Sequence, residues 1–111
     1  MDAFRVLLIG LGNIAMGYDF NLDNVAWTHV SAINNDDRFS LVAGIDPAIE
    51  KQRDFEAKTG AKAYGNVEEF IDKSVETIDL VVIASPTRFH ISHYQKVRML
   101  NPKLVLMEKP V

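Results

Sequence analysis

The stretch Phe4-Arg5-Val6-Leu7-Leu8-Ile9-Gly10-Leu11-Gly12-Asn13-Ile14-Ala15-Met16-Gly17 decides how this chain is read. Val6-Leu7-Leu8-Ile9 is a short unbroken apolar run with a β-branched residue at each end, the pattern of a strand buried on both faces. It passes directly into Gly10-Leu11-Gly12-Asn13-Ile14-Ala15, a G-x-G-x-x-A turn. In such a turn Gly10 allows the tight bend. Gly12, without a Cβ, lets the backbone come close to a pyrophosphate, and Ala15 lets the following helix pack on the strand. The N-terminus of that helix then presents free N–H groups and a partial positive charge to the phosphates. A glycine pattern alone is weakly specific, so the rest of the chain has to carry the reading.

Outward from that turn the chain alternates between strand and helix patterns. Residues 18–27, rich in Asn and Asp, read as a loop inserted into the first crossover. Phe20 and Trp27 within it are expected to pack on a partner surface. Helical character resumes over residues 28–33 and stops in the polar cluster 34–38. Phe39-Ser40-Leu41-Val42-Ala43-Gly44-Ile45-Asp46 reads as a second buried strand ending in an acid. Pro47 is placed to start a helix over residues 48–59 that carries Ile49 and Phe55 and ends at Gly60. Lys62-Ala63-Tyr64 reads as a third strand. Asn66 and Glu69 have capping-box spacing ahead of a helix that buries Val67, Phe70 and Ile71. Residues 79–84 are the most apolar stretch and form a fourth strand. After Ser85-Pro86-Thr87 comes a helix expected to put Ile91, Tyr94 and Val97 on one side. Asn101-Pro102 ends it, and Leu104-Val105-Leu106-Met107 is a fifth strand running into Glu108-Lys109-Pro110-Val111. Alternation with short connections predicts a parallel sheet with right-handed crossovers.

Composition narrows the classes of function. At 111 residues the chain is one domain able to bury about 60–65% of its unfolded surface. Its 48% apolar and 24% charged residues are ordinary for a soluble globular protein. A net charge of −3 supplies no attraction to nucleic acid or an anionic membrane, so neither partner is expected. With no cysteine there is no disulfide framework and no thiolate metal site, and no metal is expected. No apolar run is long enough to span a bilayer or form a signal-peptide core. A cytoplasmic location is the expectation.

Four strand ends supply the candidate site. Asp46 closes the second strand, where an acid can bind both hydroxyls of an adenosine ribose. It normally lies about 20 residues beyond the glycine turn, a spacing recovered here when the inserted loop is left out. Asp46 can equally cap the helix after Pro47, and the two roles are compatible. A 2′-phosphate about 4 Å from that carboxylate would meet repulsion of about 4 kcal/mol at an effective dielectric near 20, so NAD is expected over NADP. Ser85, Pro86 and Thr87 follow the fourth strand, at the sheet end where open α/β proteins bind ligands. His90 lies just beyond them, His29 reads as structural, and His93 is expected in solvent. Lys109, directly after the fifth strand, could hydrogen-bond a substrate hydroxyl or a cofactor ribose. Burial beside a cofactor would lower its pKa towards the range of proton transfer.

Taken together, Gly10-Leu11-Gly12-Asn13-Ile14-Ala15, Thr28-His29, Phe39 to Asp46-Pro47, Ser85-Pro86-Thr87-Arg88-Phe89-His90 and Met107-Glu108-Lys109-Pro110 resemble the N-terminal domain of the glucose–fructose oxidoreductase / inositol dehydrogenase (Gfo/Idh/MocA) family. The resemblance covers essentially the whole chain, and the S-P-T-x-x-H and E-K-P pair is its most specific part. It implies an α/β fold, a Rossmann-type doubly wound parallel sheet, truncated and without the family's second domain. It also implies cofactor-binding roles for Gly10, Gly12, Asn13, Ile14, Asp46, Ser85, Pro86, Thr87, His90, Glu108 and Lys109. By the same resemblance Lys109 is the catalytic group, reaching the reacting hydroxyl. Pro110 matches a proline often preceded by a cis bond that would aim it. The family's third glycine is Ala15 here. Family members continue past E-K-P into a substrate domain, so the chain is expected to be part of a longer polypeptide and inactive alone. The loop over residues 18–27 resembles members acting in surface-polysaccharide and sugar-nucleotide pathways.

The expectation is therefore the NAD-binding domain of an NAD-dependent dehydrogenase. Its parent, expected to be a homo-oligomer, would move a hydride between nicotinamide and a sugar, sugar-nucleotide or cyclitol hydroxyl. One rival is a stand-alone, non-catalytic dinucleotide-binding or sensor module. A second, an adenosyl-methionine methyltransferase, usually carries an acid at the end of the first strand, where this chain has Ile9.

Overall fold

A computed structural model of the chain describes residues 3–11, 33, 36–74, 77–84 and 90–107, with only the backbone of His90. Five strands form one sheet: β1 (Phe4–Ile9), β2 (Phe39–Ile45), β3 (Lys62–Tyr64), β4 (Leu80–Ile83) and β5 (Leu104–Met107). Their order is β3-β2-β1-β4-β5 and every pairing is parallel. The order reverses between β1 and β4, which is the place where open α/β sheets open a crevice beyond their carboxyl ends.

Helices α1 (Ile49–Thr59), α2 (Val67–Lys73) and α3 (His90–Val97) follow β2, β3 and β4 in sequence. The period-2 alternation of β1 serves two cores. Val6 and Leu8 join Leu11, Ile33, Phe55 and Val82 on one face. Leu7 and Ile9 join Ile45, Val67, Phe70, Ile83 and Val97 on the other. A strand buried on both faces must be apolar at every position, which is why Val6 to Ile9 shows no alternation in its sequence.

One irregularity sets the parity of β2. Its register against β1 shifts between Val6 and Leu7, so that Val6 pairs with Leu41 and Leu7 with Ala43. The extra residue, Val42, acts as a bulge and exchanges the faces of everything after it. Ala43 and Ile45 then point at the layer containing α2 and α3. Gly44 points the other way, under the ring of Phe55, where a Cβ would stand 2.9 Å from Cζ. Glycine at 44 is a requirement of that close approach of strand and helix.

At the opposite end of the sheet Asp79 ties three strands together. Its carboxylate accepts from the Arg5 N–H at 2.9 Å, and its backbone N–H donates to the Arg5 carbonyl. Its own carbonyl accepts from the N–H groups of Lys103 and Leu104. Asn66 caps α2 by accepting from the Glu69 N–H at 2.7 Å, as its capping-box spacing predicts. Tyr64 packs edge-on against Phe70 with centroids 5.4 Å apart.

Three expectations need correction. Pro47 does not start α1. The helix opens at Ile49, because Ala48, its N-cap, is extended (φ −82°, ψ 120°), and the Ala48 N–H donates to Asp46 Oδ1 in an Asx turn. Ile71 is only partly buried beside Val67 and Phe70. In α3, Val97 is fully buried whereas Ile91 is 71% exposed. Positions 91 and 97 lie about 120° apart around a helix, so they cannot share a packing face.

Candidate functional site

The carboxyl ends of β1, β2 and β3, with the beginning of α2 and one side of α3, enclose a cleft of about 510 Å³. Ile9, Ile45 and Val67 give it an apolar floor, and Asp46, Asn66, His93 and Lys96 give it polar groups. An apolar crevice with a few convergent polar groups is the ordinary form of a small-molecule site.

Asp46 is the most firmly placed residue of this cleft. Its backbone N–H donates to the Tyr64 carbonyl at 3.0 Å, and its carbonyl accepts from Gln52 Nε2 at 2.8 Å. Its side chain is held at both oxygens: Oδ1 accepts from the Ala48 N–H at 2.9 Å and Oδ2 from the Leu11 N–H at 3.0 Å. Leu11 belongs to the glycine turn, so the carboxylate bridges the turn after β1 to the end of β2. A carboxylate has about four lone-pair sites, and these two bonds leave capacity for two further donors such as vicinal hydroxyls. Of the two roles open to Asp46, capping takes the form of an Asx turn ahead of α1, and it leaves that capacity intact.

Gly10 adopts φ +91°, a conformation that L side chains rarely enter, and its N–H donates to the Ile45 carbonyl at 2.7 Å. The Ala84 N–H donates to the Ile9 carbonyl on the other side. The bend after β1 is thus pinned to the ends of β2 and β4, beside the fixed carboxylate. A group with a diol for Asp46 and an apolar ring for the floor fits the described residues, and the adenosine half of a dinucleotide has both.

Of the sequence-predicted site residues, Gly10 and Asp46 meet in this cleft. Gly12, Asn13, Ile14, Ser85, Pro86, Thr87, Glu108 and Lys109 lie outside the described residues, as do Ala15, Phe20, Trp27, His29, Pro110 and the loop over residues 18–27. His90 opens α3, and its side chain also lies outside them. His93, expected in solvent, is instead half-buried and lines the cleft.

The wall contributed by α3 was missed in the sequence reading. His93, Lys96, Val97 and Leu100 follow the i, i+3, i+4, i+7 spacing of one helix face. The last two pack into the core, and the first two carry the same face out to the cleft. Extending the apolar face backwards from Val97 would have found them. The Lys96 ammonium pairs with Glu68 of α2 at 3.0 Å. That contact, aided by His93, holds the Glu68 carboxyl below its usual range. No cluster of three or more metal-binding side chains occurs among the described residues. No described helix is long and apolar enough to cross a membrane.

Comparison with known proteins agrees with this fold. The profile of the Gfo/Idh/MocA group, an oxidoreductase family with an NAD-binding Rossmann fold, matches residues 4–111. No curated protein sequence matches significantly. Among solved structures, the chain is similar to the WlbA dehydrogenase from Bordetella pertussis in complex with NADH and UDP-GlcNAcA. The identity is 26% and the TM-score 0.78, over 98% of this chain and 29% of that one. It is similar also to a myo-inositol dehydrogenase from Corynebacterium glutamicum, with 29% identity and a TM-score of 0.75, over 98% of this chain and 28% of that one. The chain therefore spans less than a third of the length of either relative. It belongs to the Gfo/Idh/MocA oxidoreductase family, as an NAD-binding Rossmann domain.

Proposed function

We propose that the cleft binds NAD with Asp46 on the adenosine ribose, and that the chain serves an NAD-dependent dehydrogenase of greater length. The observation that carries this reading is the Asp46 carboxylate, fixed by the Leu11 and Ala48 N–H groups beside the left-handed Gly10. Because backbone donors set its orientation in advance, little ordering remains to be done on binding. Gly10, Gly12, Asn13 and Ile14 would hold the pyrophosphate, and Ser85, Pro86, Thr87 and His90 would line the cleft beyond β4.

When bound, the cofactor supplies the hydride chemistry, and the protein's share is to bind, orient and handle the proton. Lys109, with Glu108 directly after β5, would hydrogen-bond the reacting hydroxyl and take or return its proton as the carbonyl forms or is reduced. The substrate class we favour is a sugar, sugar-nucleotide or cyclitol hydroxyl. The two relatives named above, one holding UDP-GlcNAcA and one named for myo-inositol, support it. A further substrate domain, a homo-oligomeric parent, a cytoplasmic location and lack of turnover by this domain alone complete the proposal.

Asp46 also sets a preference between cofactors. A 2′-phosphate about 4 Å from its carboxylate would be repelled by about 4 kcal/mol, favouring NAD. Titration calorimetry with NAD⁺ tests the assignment. Asp46→Ala should weaken binding by at least about tenfold, the scale of charge-assisted hydrogen bonds lost. Tight binding indifferent to the substitution would defeat it.

A further inference from the structure

The cleft that holds Asp46 also holds two basic side chains on α3, and the proposed NAD reading gives them no task. Besides Asp46, the charged or chargeable side chains lining it among the described residues are His93 and Lys96. They stand three residues apart on one helix face, and so project to the same side. Lys96 is half-buried and reaches from α3 to the first turn of α2, where its Nζ meets Glu68 Oε2 at 3.0 Å. The side chains of this pair are 42% and 60% exposed. A pair so exposed is held weakly, by no more than about fivefold in its equilibrium. Lys96 can therefore leave Glu68 for a stronger anion arriving in the cleft, and a phosphate dianion is a stronger partner than one carboxylate.

On the strength of that arrangement, and resting on the NAD reading above, we infer that Lys96 is a second determinant of cofactor choice. It offers a counter-charge to a 2′-phosphate on the adenosine ribose, and so offsets part of the repulsion from Asp46. Asp46 sets the preference for NAD, and Lys96 limits it, so the site takes both dinucleotides with NADP the weaker. Glu68 regulates this second effect by competing for the ammonium. A Lys96 that served only to join α3 to α2 would have no reason to distinguish the two cofactors.

The experiment is calorimetric titration of the chain with NAD⁺ and with NADP⁺, read as the ratio of the two affinities in wild type, Lys96→Met, Lys96→Arg and Glu68→Gln. Lys96→Met should lower the NADP⁺:NAD⁺ ratio by about tenfold, and Lys96→Arg should retain it. Glu68→Gln should raise the ratio severalfold, and added salt should shrink these differences. A ratio unmoved by Lys96→Met, or moved in the same direction by Lys96→Met and Glu68→Gln, overturns the inference. So does wild-type protein that binds NAD⁺ but shows no NADP⁺ binding at millimolar concentration. Wild-type protein that binds neither dinucleotide overturns instead the NAD reading on which the inference rests.

Discussion

The two flanks of the sheet's centre are built differently. On one flank, β1 and β2 are buried towards their carboxyl ends, Gly44 lies directly beneath Phe55, and the Asp46 carboxylate is held by the Leu11 and Ala48 N–H groups while its carbonyl accepts from the Gln52 side chain. On the other, the edge strand β5 leaves Leu104 61% and Leu106 48% exposed, with Met107 also in solvent. Both flanks are apolar in sequence, and both pair in parallel with the centre. They differ in what covers them. The covered flank is the one that presents the fixed carboxylate, so the rigidity of the binding site comes from packing beneath it rather than from hydrophobic content alone.

That contrast can be broken most forcefully at Phe55. Phe55→Ala removes a fully buried ring and should cost about 3–5 kcal/mol in denaturant unfolding. Gly44→Ala puts a methyl into the same contact from the strand side, and should cost about 1–3 kcal/mol by overpacking. The two changes touch each other, so combining Gly44→Ala with Phe55→Leu should cost less than the sum of the single effects. Leu106→Ser on β5 should change stability by no more than about 0.5 kcal/mol, despite replacing a large apolar residue in a strand. A Leu106→Ser cost approaching that of Phe55→Ala would mean that β5 is covered after all.

Much of this architecture was legible because it rests on local patterns. Apolar runs such as Val6-Leu7-Leu8-Ile9 and Leu80-Val81-Val82-Ile83 announce strands buried on both faces. Asn66 ahead of Val67 announces a capped helix, and the acid after β2 announces one wall of the cleft. What could not be read depends on parity or on distant partners. The bulge at Val42 has no signature in its residue type, yet it decides that Gly44 and not Ala43 lies under Phe55. Asp79 reads as the polar start of a strand, whereas its partner Arg5 is 74 residues away in sequence. His93 and Lys96 can be placed on the Val97 face of α3 by their spacing, but that this face becomes a wall of the cleft depends on the approach of α2, which is distant in sequence.

The Asp46 carboxylate is the centre of the proposed site, and the amides that hold it can report on it directly. In an amide-correlation NMR titration with NAD⁺, the Leu11 and Ala48 cross-peaks should be among those that shift most, because their N–H groups donate to the oxygens that would meet the ribose. NAD⁺ binding that leaves both cross-peaks in place while others move would contradict the assignment of Asp46, and with it the placement of the cofactor in this cleft.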